Sequence, residues 1–558
     1  MARCFASVPL THSAAILALL VALGLGPAAP AVTAQTTPAD SCHRLAGQSL
    51  PDTTIKLADL VPAGTFTPPD GTPAIGDLPA FCRVWAVVAP QITIEVWLPA
   101  AGWNGKFQGV GGGGYAGIIS YPALADALRA GYATASTDTG HAAADPMTAP
   151  LNGTFGLGPD GQLNWRLIED FASRSLHEMT VKGKALTQAF YGSAPKYAYW
   201  TGCSTGGRQG LMLAQRYPTD YNAILAGAPA NNWSRFIPAE FWPQLVMLQA
   251  GDFVPQCKFD AVTAAAVAEC DGLDGVEDGV IDDPRGCSFD PMSMVGTETP
   301  CGTITATDAE VIRSIWQGAR DTSGRFLWFG LEPGAPFNGL ANTVTAPDGS
   351  TSGAPFPIAT DWIRLFLLQT PEWDWRTATP EQFDQWFQHS VEQYTHVLGT
   401  DDPDLSDFRD AGGKLLLWHG WADQLIFPRQ AIDYYERVER AMGGPQRTGE
   451  FARLFMAPGV AHCRGGPGPN EFDGLGPLVE WVEHGVAPDA LVAAHRTNGV
   501  VDRTRPLCMY PMVARWTGQG STDEAANFSC TAEVARVPAG PATTPAPSDP
   551  GQLPSRLS

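Results

Sequence analysis

A short apolar strand over residues 197–201 runs into Gly202-Cys203-Ser204-Thr205-Gly206 and out into a helix over 206–217. No other feature limits the architecture of this chain as much. A strand that turns straight into a helix belongs to a parallel sheet covered by helices. The tight turn would hold Ser204 in a strained conformation with its Oγ exposed. The helix N-terminus would aim amide N–H groups and the positive end of its dipole at the same point. Taken alone, the pattern serves equally well for a Gly-rich β-to-α turn with an ordinary serine.

The flanking pattern supports the α/β reading. Strands are expected over 92–98, 106–110 and 132–136, followed by a helix over 170–190 that spaces Phe171, Leu176, Met179, Val181 and Leu186. Another strand follows at 224–227. The alternation stops near Asn231. It resumes with the buried strand Lys414-Leu415-Leu416-Leu417-Trp418, a helix over 434–442, a strand over 452–456 and a helix over 478–483. The predicted fold class is therefore α/β: an α/β-hydrolase core (35–231 and 401–536) with a large inserted lid domain (232–400). The sheet is expected to be parallel.

The order of the remaining residues decides the role of Ser204. In such a core the acid follows a later strand and the histidine follows the last one. The strand at 414–418 leads to His419-Gly420-Trp421-Ala422-Asp423, and the strand at 452–456 leads to Ala457-Pro458-Gly459-Val460-Ala461-His462. Ser204, His462 and Asp423 are thus the predicted nucleophile, general base and orienting acid. His419 competes as the base, but its place at the end of the Asp-bearing strand suits orientation of that loop. The oxyanion donors are expected to be the backbone N–H of Thr205 and one from Gly111 to Gly114, with Gly113 favoured.

Cys203 precedes the proposed nucleophile and Cys463 follows the proposed base. An assembled triad forces them together, so a disulfide between them is a consequence of the triad. It closes a loop of about 260 residues, worth up to roughly 5 kcal/mol by chain entropy. The chain has 11 cysteines. Arg3, an apolar stretch over 14–25 and small residues ending at Ala34 form an export signal over 1–34, which would remove Cys4. The ten that remain suit five disulfides in a secreted or periplasmic protein. The Pro-, Ala-, Ser- and Thr-rich end, 537–558, reads as a disordered tail.

Between Cys270 and Cys287 the acidic run Asp271-Gly272-Leu273-Asp274-Gly275-Val276-Glu277-Asp278-Gly279-Val280 suits Ca²⁺, with carboxylates from Asp271, Asp274 and Asp278 and carbonyls from Val276 and Val280. Its spacing is not that of an EF-hand, and a solvated acidic loop is the alternative. The formal net charge of −22, with no basic cluster, excludes a nucleic-acid or anionic-membrane surface.

These motifs together resemble the tannase and feruloyl esterase family, which includes the mono(2-hydroxyethyl) terephthalate hydrolases. The likeness rests on the run from Tyr199 to Gly210, on the segment from Trp418 to Asp423, and on Gly459-Val460-Ala461-His462-Cys463. It implies an α/β-hydrolase core whose lid carries structural Ca²⁺ on Asp271, Asp274, Val276, Asp278 and Val280. It also implies the bridges Cys42–Cys82, Cys203–Cys463, Cys270–Cys287, Cys257–Cys301 and Cys508–Cys530. The expected substrate is a small aromatic ester, free or attached to plant polysaccharide or polyphenol. Trp328, Phe329, Phe356 and Trp362 are the candidates to stack on its acyl ring. The terephthalate-monoester enzymes place an arginine where this chain has Ser352, and no Arg lies between Arg325 and Arg364. A feruloyl, caffeoyl or galloyl group is therefore expected ahead of a carboxylate-bearing one. A non-catalytic, calcium-stabilised binding protein on the same fold would lack a triad residue, and this chain lacks none.

Overall fold

The computed structural model describes residues 37–142, 145 and 147–532. The expected export signal over 1–34 and the tail over 537–558 lie outside the described residues.

Nine strands form one sheet: β1 (Thr53–Val61), β2 (Phe81–Val88), β3 (Ile92–Pro99), β4 (Lys106–Val110), β5 (Ala133–Thr137), β6 (Tyr197–Cys203), β7 (Ala223–Gly227), β8 (Lys414–Gly420) and β9 (Ala452–Ala457). Their spatial order is β1-β2-β3-β5-β4-β6-β7-β8-β9. This is an α/β-hydrolase core, and the six strands from β5 to β9 run parallel. The sheet is not wholly parallel, however. β1, β2, β3 and β5 pair antiparallel, which corrects the sequence-based expectation. Only residues 89–91 join β2 to β3, and a parallel crossover needs about a dozen residues or more.

Burial explains why the central strands were legible. In β6, Tyr199 packs on one face of the sheet and Trp200 on the other. In β8, Leu415 and Leu417 enter the core on one face, while Leu416 and Trp418 enter the opposite core. A strand covered on both faces reads as a continuous apolar run. β1 is half exposed and carries Lys56 and Asp59 among its apolar residues, so it gives no such run.

Residues 228–413 leave the sheet between β7 and β8 as helices and short hairpins. Their aromatic core is shared with the loops after β4 and β5: Tyr115, Phe155 and Phe171 pack in the same cluster as Trp233, Trp362 and Phe366. One buried cation ties these layers together. Arg208, on the helix Thr205–Arg216, is fully buried, with its guanidinium 4.7 Å from the Phe171 ring and 5.5 Å from the Trp233 ring. It donates to the carbonyls of Phe171 (3.0 Å) and Ala172 (3.2 Å) in the π-helical turn Asp170–Arg174. A π-turn breaks the regular i→i−4 ladder, and an outside donor satisfies the freed carbonyls. Burial, with Arg216 nearby, pulls the pKa of Arg208 down to about 9, so it stays charged at neutral pH.

Beyond β9 the chain forms two hairpins, Ala490–Thr497 with Val500–Cys508 and Met512–Trp516 with Phe528–Ala532. Sequence reading had placed no strands there.

Arg208→Leu keeps the volume but strands two carbonyls. It should lower the free energy of urea unfolding by about 2–4 kcal/mol. An unchanged midpoint would mean that the π-turn carbonyls have other donors.

Candidate active site

Ser204 follows β6 directly and has φ +62° and ψ −127°. Its amide donates to the Gly227 carbonyl (3.0 Å), and its own carbonyl accepts from the Ala230 amide (3.0 Å). The turn is thereby pinned to the end of β7. A left-handed conformation at a serine costs about 1–3 kcal/mol and persists only when its surroundings enforce it. Glycine is required beside it, since a Cβ on Gly202 would lie 2.5 Å from the Gly206 backbone.

Asp423 lies three residues past β8 and is fully buried. Its Oδ1 accepts from the amides of Leu425 and Ile426, both at 2.9 Å. Its Oδ2 faces His462 Nδ1 at 2.9 Å and His419 Nε2 at 3.1 Å. Burial alone would push this carboxyl up. The His462 charge and the bonds from His419 and His462 outweigh burial and hold it well below the usual carboxylate range. An ionised Asp423 fixes a hydrogen on His462 Nδ1 and leaves Nε2 to accept a proton. His419 Nε2 also faces the Ile426 carbonyl at 3.1 Å, so two acceptors hold that ring inside the Asp loop. This is the orienting place that the sequence suggested for it.

Cys203 and Cys463 are bonded, with Cα atoms 5.9 Å apart. The other four expected bridges are present as well. Ser204 and His462 line one cavity of about 340 Å³ with Gly113, Gly114 and Thr205. Thr205 Oγ1 donates to the Gly114 carbonyl at 2.6 Å, and the Gly112 amide donates to Gln209 Oε1 at 3.0 Å. The helix Thr205–Arg216 therefore holds the glycine loop. The backbone N–H groups of Gly113 and Thr205 have no acceptor among the described residues.

A sequence model of the family described as "Tannase and feruloyl esterase" matches residues 74–531. A probable feruloyl esterase of Arthroderma benhamiae is 43% identical over 454 residues, which cover 79% of this chain and 83% of that protein. The chain belongs to the tannase and feruloyl esterase family. An uncharacterized esterase of Xanthomonas campestris pv. campestris is 36% identical over 561 residues, 91% of this chain and 94% of the relative. The crystal structure of feruloyl esterase B from Aspergillus oryzae superposes with a TM-score of 0.77 at 30% identity, covering 89% of this chain and all (100%) of that one. This tannase and feruloyl esterase family member is a carboxylic ester hydrolase.

Of the four aromatic residues expected to line the acyl pocket, only Phe356 does so. Trp362 is fully buried, stacks on Phe366 with ring centroids 4.6 Å apart and bonds Ser390 Oγ at 2.9 Å. Trp328 is buried and reaches Gln430 Oε1 at 3.2 Å. Phe329 packs between Trp328 and Phe326. None of these three lines the cavity of Ser204; Trp328 and Trp362 are buried against protein neighbours, and Phe329 is half-buried. Sequence reading missed the helix Trp233–Ala239, which supplies Trp233, Phe236, Ile237 and then Glu240 to the cavity wall. Its signal was present: these positions have i, i+3, i+4, i+7 spacing, one face of a helix.

In the acidic loop, Asp271 Oδ1 accepts the amides of Asp278 and Val280, and its Oδ2 accepts that of Gly279. Asp274 Oδ1 accepts the Val276 amide at 2.9 Å, and Asp278 Oδ2 pairs with Arg503 and Arg505. Among the described residues no three His, Cys, Asp or Glu side chains converge on one metal position. Two carboxylates do meet. Burial and then the Asp274 charge push the Asp282 carboxyl well above its usual range, and burial also raises Asp274.

The sign of the Asp423 effect gives a pH prediction. A carboxyl depressed in the folded state adds stability above its unfolded pKa, about 3.9, and that stability is lost as pH falls through the folded value. Thermal unfolding of the wild type should therefore weaken more steeply below about pH 4 than that of Asp423→Asn. Parallel curves would mean that Asp423 is not the ionised partner of His462.

Proposed function

We propose that this esterase hydrolyses esters of hydroxylated aromatic acids through a Ser204–His462–Asp423 triad, and that it works outside the cytoplasm. The observation that carries this reading is the shared cavity. It places Ser204 and His462 beside an apolar wall of Trp233, Phe236, Ile237 and Phe356, with Asp423 bonded behind His462. Its volume of about 340 Å³ sits at the small end of ligand sites, about 300–1,000 Å³.

Ser204 Oγ attacks the ester carbonyl while His462 Nε2 takes its proton. The amides of Thr205 and Gly113 receive the developing oxyanion. His462 returns the proton to the departing alcohol and leaves an acyl group on Ser204. Water, deprotonated by His462, then releases the acid. No Lys or Arg lines the cavity among the described residues. A carboxylate on the acyl ring would therefore be buried without a partner, which favours phenolic acyl groups over a terephthalate monoester. The five bridges suit an oxidising compartment. Among the described residues no helix is long and apolar enough to cross a membrane.

Ser204→Ala should lower kcat on methyl ferulate, methyl caffeate or methyl gallate by about 10⁵–10⁶-fold with the fold intact. Retained turnover would remove the triad reading. The wild type should favour these esters over mono(2-hydroxyethyl) terephthalate, and the reverse preference would overturn the acyl assignment.

The acidic loop is further proposed to hold a structural Ca²⁺. The support is chemical: burial and the neighbouring Asp274 disfavour the ionised form of Asp282, and the loop's carboxylate and carbonyl oxygens are the donor type that Ca²⁺ takes. Asp274, Asp271, Asp278 and the carbonyls of Val276 and Val280 would hold the ion. EGTA should then lower the Tm, Ca²⁺ should restore it, and Asp274→Asn should abolish the response. Saturation at 100 Kd corresponds to about 2.7 kcal/mol. A Tm indifferent to EGTA would exclude the ion.

A further inference from the structure

Glu240 is a misfit in its surroundings. It caps the C-terminus of the helix Trp233–Ala239, and its amide donates to the carbonyls of Phe236 (2.8 Å) and Ile237 (3.2 Å). That backbone role needs no carboxyl. The side chain enters the cavity that Ser204 and His462 line, is only 2% exposed, and continues the apolar face of Trp233, Phe236 and Ile237. Its Oε2 is buried without a hydrogen-bond partner among the described residues, and no cation pairs with it there. A buried polar group without a partner is costly and calls for an explanation.

We infer that Glu240 is the specificity-determining residue of the acyl site, where its buried, unpartnered carboxyl hydrogen-bonds a ring hydroxyl of the substrate acid. This rests on the esterase reading above and names what that site recognises on the acyl ring. Burial, reinforced by the nearby Asp423 charge, pushes the Glu240 carboxyl well above its usual range and so favours its protonated form. A protonated carboxyl offers one O–H donor and one C=O acceptor. A phenolic hydroxyl can donate to the C=O, and a neighbouring hydroxyl or methoxy oxygen can accept from the O–H. An unsubstituted ring satisfies neither, leaving the carboxyl unpaired in a dry wall. A site built to bond a hydroxyl rejects the analogue that lacks it for this reason. A ring carboxylate would meet no cation there and would face the field of ionised Asp423.

The test compares kcat/KM for methyl 4-hydroxycinnamate and methyl cinnamate in the wild type, Glu240→Gln and Glu240→Leu. The wild type should favour the hydroxylated ester by about 10- to 100-fold. Glu240→Leu should lose most of that preference. Glu240→Gln, whose amide also donates and accepts, should keep much of it. The change should fall mainly on KM, as expected for a contact made at the ring and away from the reacting carbonyl. If Glu240→Leu does not fold, Glu240→Asp withdraws the carboxyl by one methylene, and the same ratio is read. A preference that survives in Glu240→Leu or Glu240→Asp would overturn this inference while leaving the esterase intact. A wild type that hydrolyses neither ester, nor methyl gallate, would overturn the proposed aromatic-ester reading and this inference with it.

Discussion

The bond between Cys203 and Cys463 is the constraint around which the active end of the molecule is built. β6 and β9 are three positions apart in the sheet, roughly 14 Å at ordinary strand spacing, yet the two Cα atoms are 5.9 Å apart. The loop after β9 must therefore arch back over the ends of β8 and β7. It does so through a bond from the Ala422 amide to the Val460 carbonyl (3.0 Å). The arch passes so close to β8 that a Cβ on Gly420 would lie 2.1 Å from that carbonyl. Both Ser204 and Cys463 have left-handed backbones, with φ +62° and +63°. The covalent link spans two strained turns and holds the residues beside them in register.

The arch also creates the electrostatics. It lays His462 over Asp423, which sits beneath with His419 on its other side and two amides on Oδ1. A buried carboxylate survives only when its lone pairs are taken up, and all four partners come from the ends of β8 and β9. The inserted segment then closes the cavity from above, with the helix Trp233–Ala239 as its wall. That wall is fixed from behind by Arg208, which ties the insertion to the helix that begins at Ser204. The cavity wall and Ser204 therefore share one support.

Legibility followed local physics. The strand at β6, the turn at Ser204 and the loops carrying Asp423 and His462 could be read because covered parallel strands are continuous apolar runs and their ends hold the functional residues. The edge strand β1 was missed because one face meets solvent and the apolar run is broken; β2, inside the sheet, carries an apolar run interrupted only by Arg83, a signal that could have been read. Other omissions had readable signals. The Asn498-Gly499 turn, with φ 51° and 80°, marks the hairpin at Ala490–Cys508. The capping boxes at Thr305 and Thr379 mark two helices of the insertion. The hairpin has a structural use, since its Arg503 and Arg505 pair with Asp278 in the acidic loop.

By itself the sequence marked the candidate chemistry and its order: a candidate serine, acid and histidine, and the cysteines that must meet if those three do. These are properties of short segments, and each carries its own signal in residue type and spacing. Only the tertiary structure decided which side chains line the cavity of Ser204. Trp328, Phe329 and Trp362 are as aromatic as Phe356, but they pack among protein neighbours away from the cavity of Ser204, and nothing local to the sequence says so. Glu240 shows the converse. It reads as an ordinary acidic residue at a helix end until the fold removes its water, withholds a cation and sets it in the cavity that Ser204 lines. Partner and solvent are set by segments far apart in the chain, so they become known only when the chain is folded.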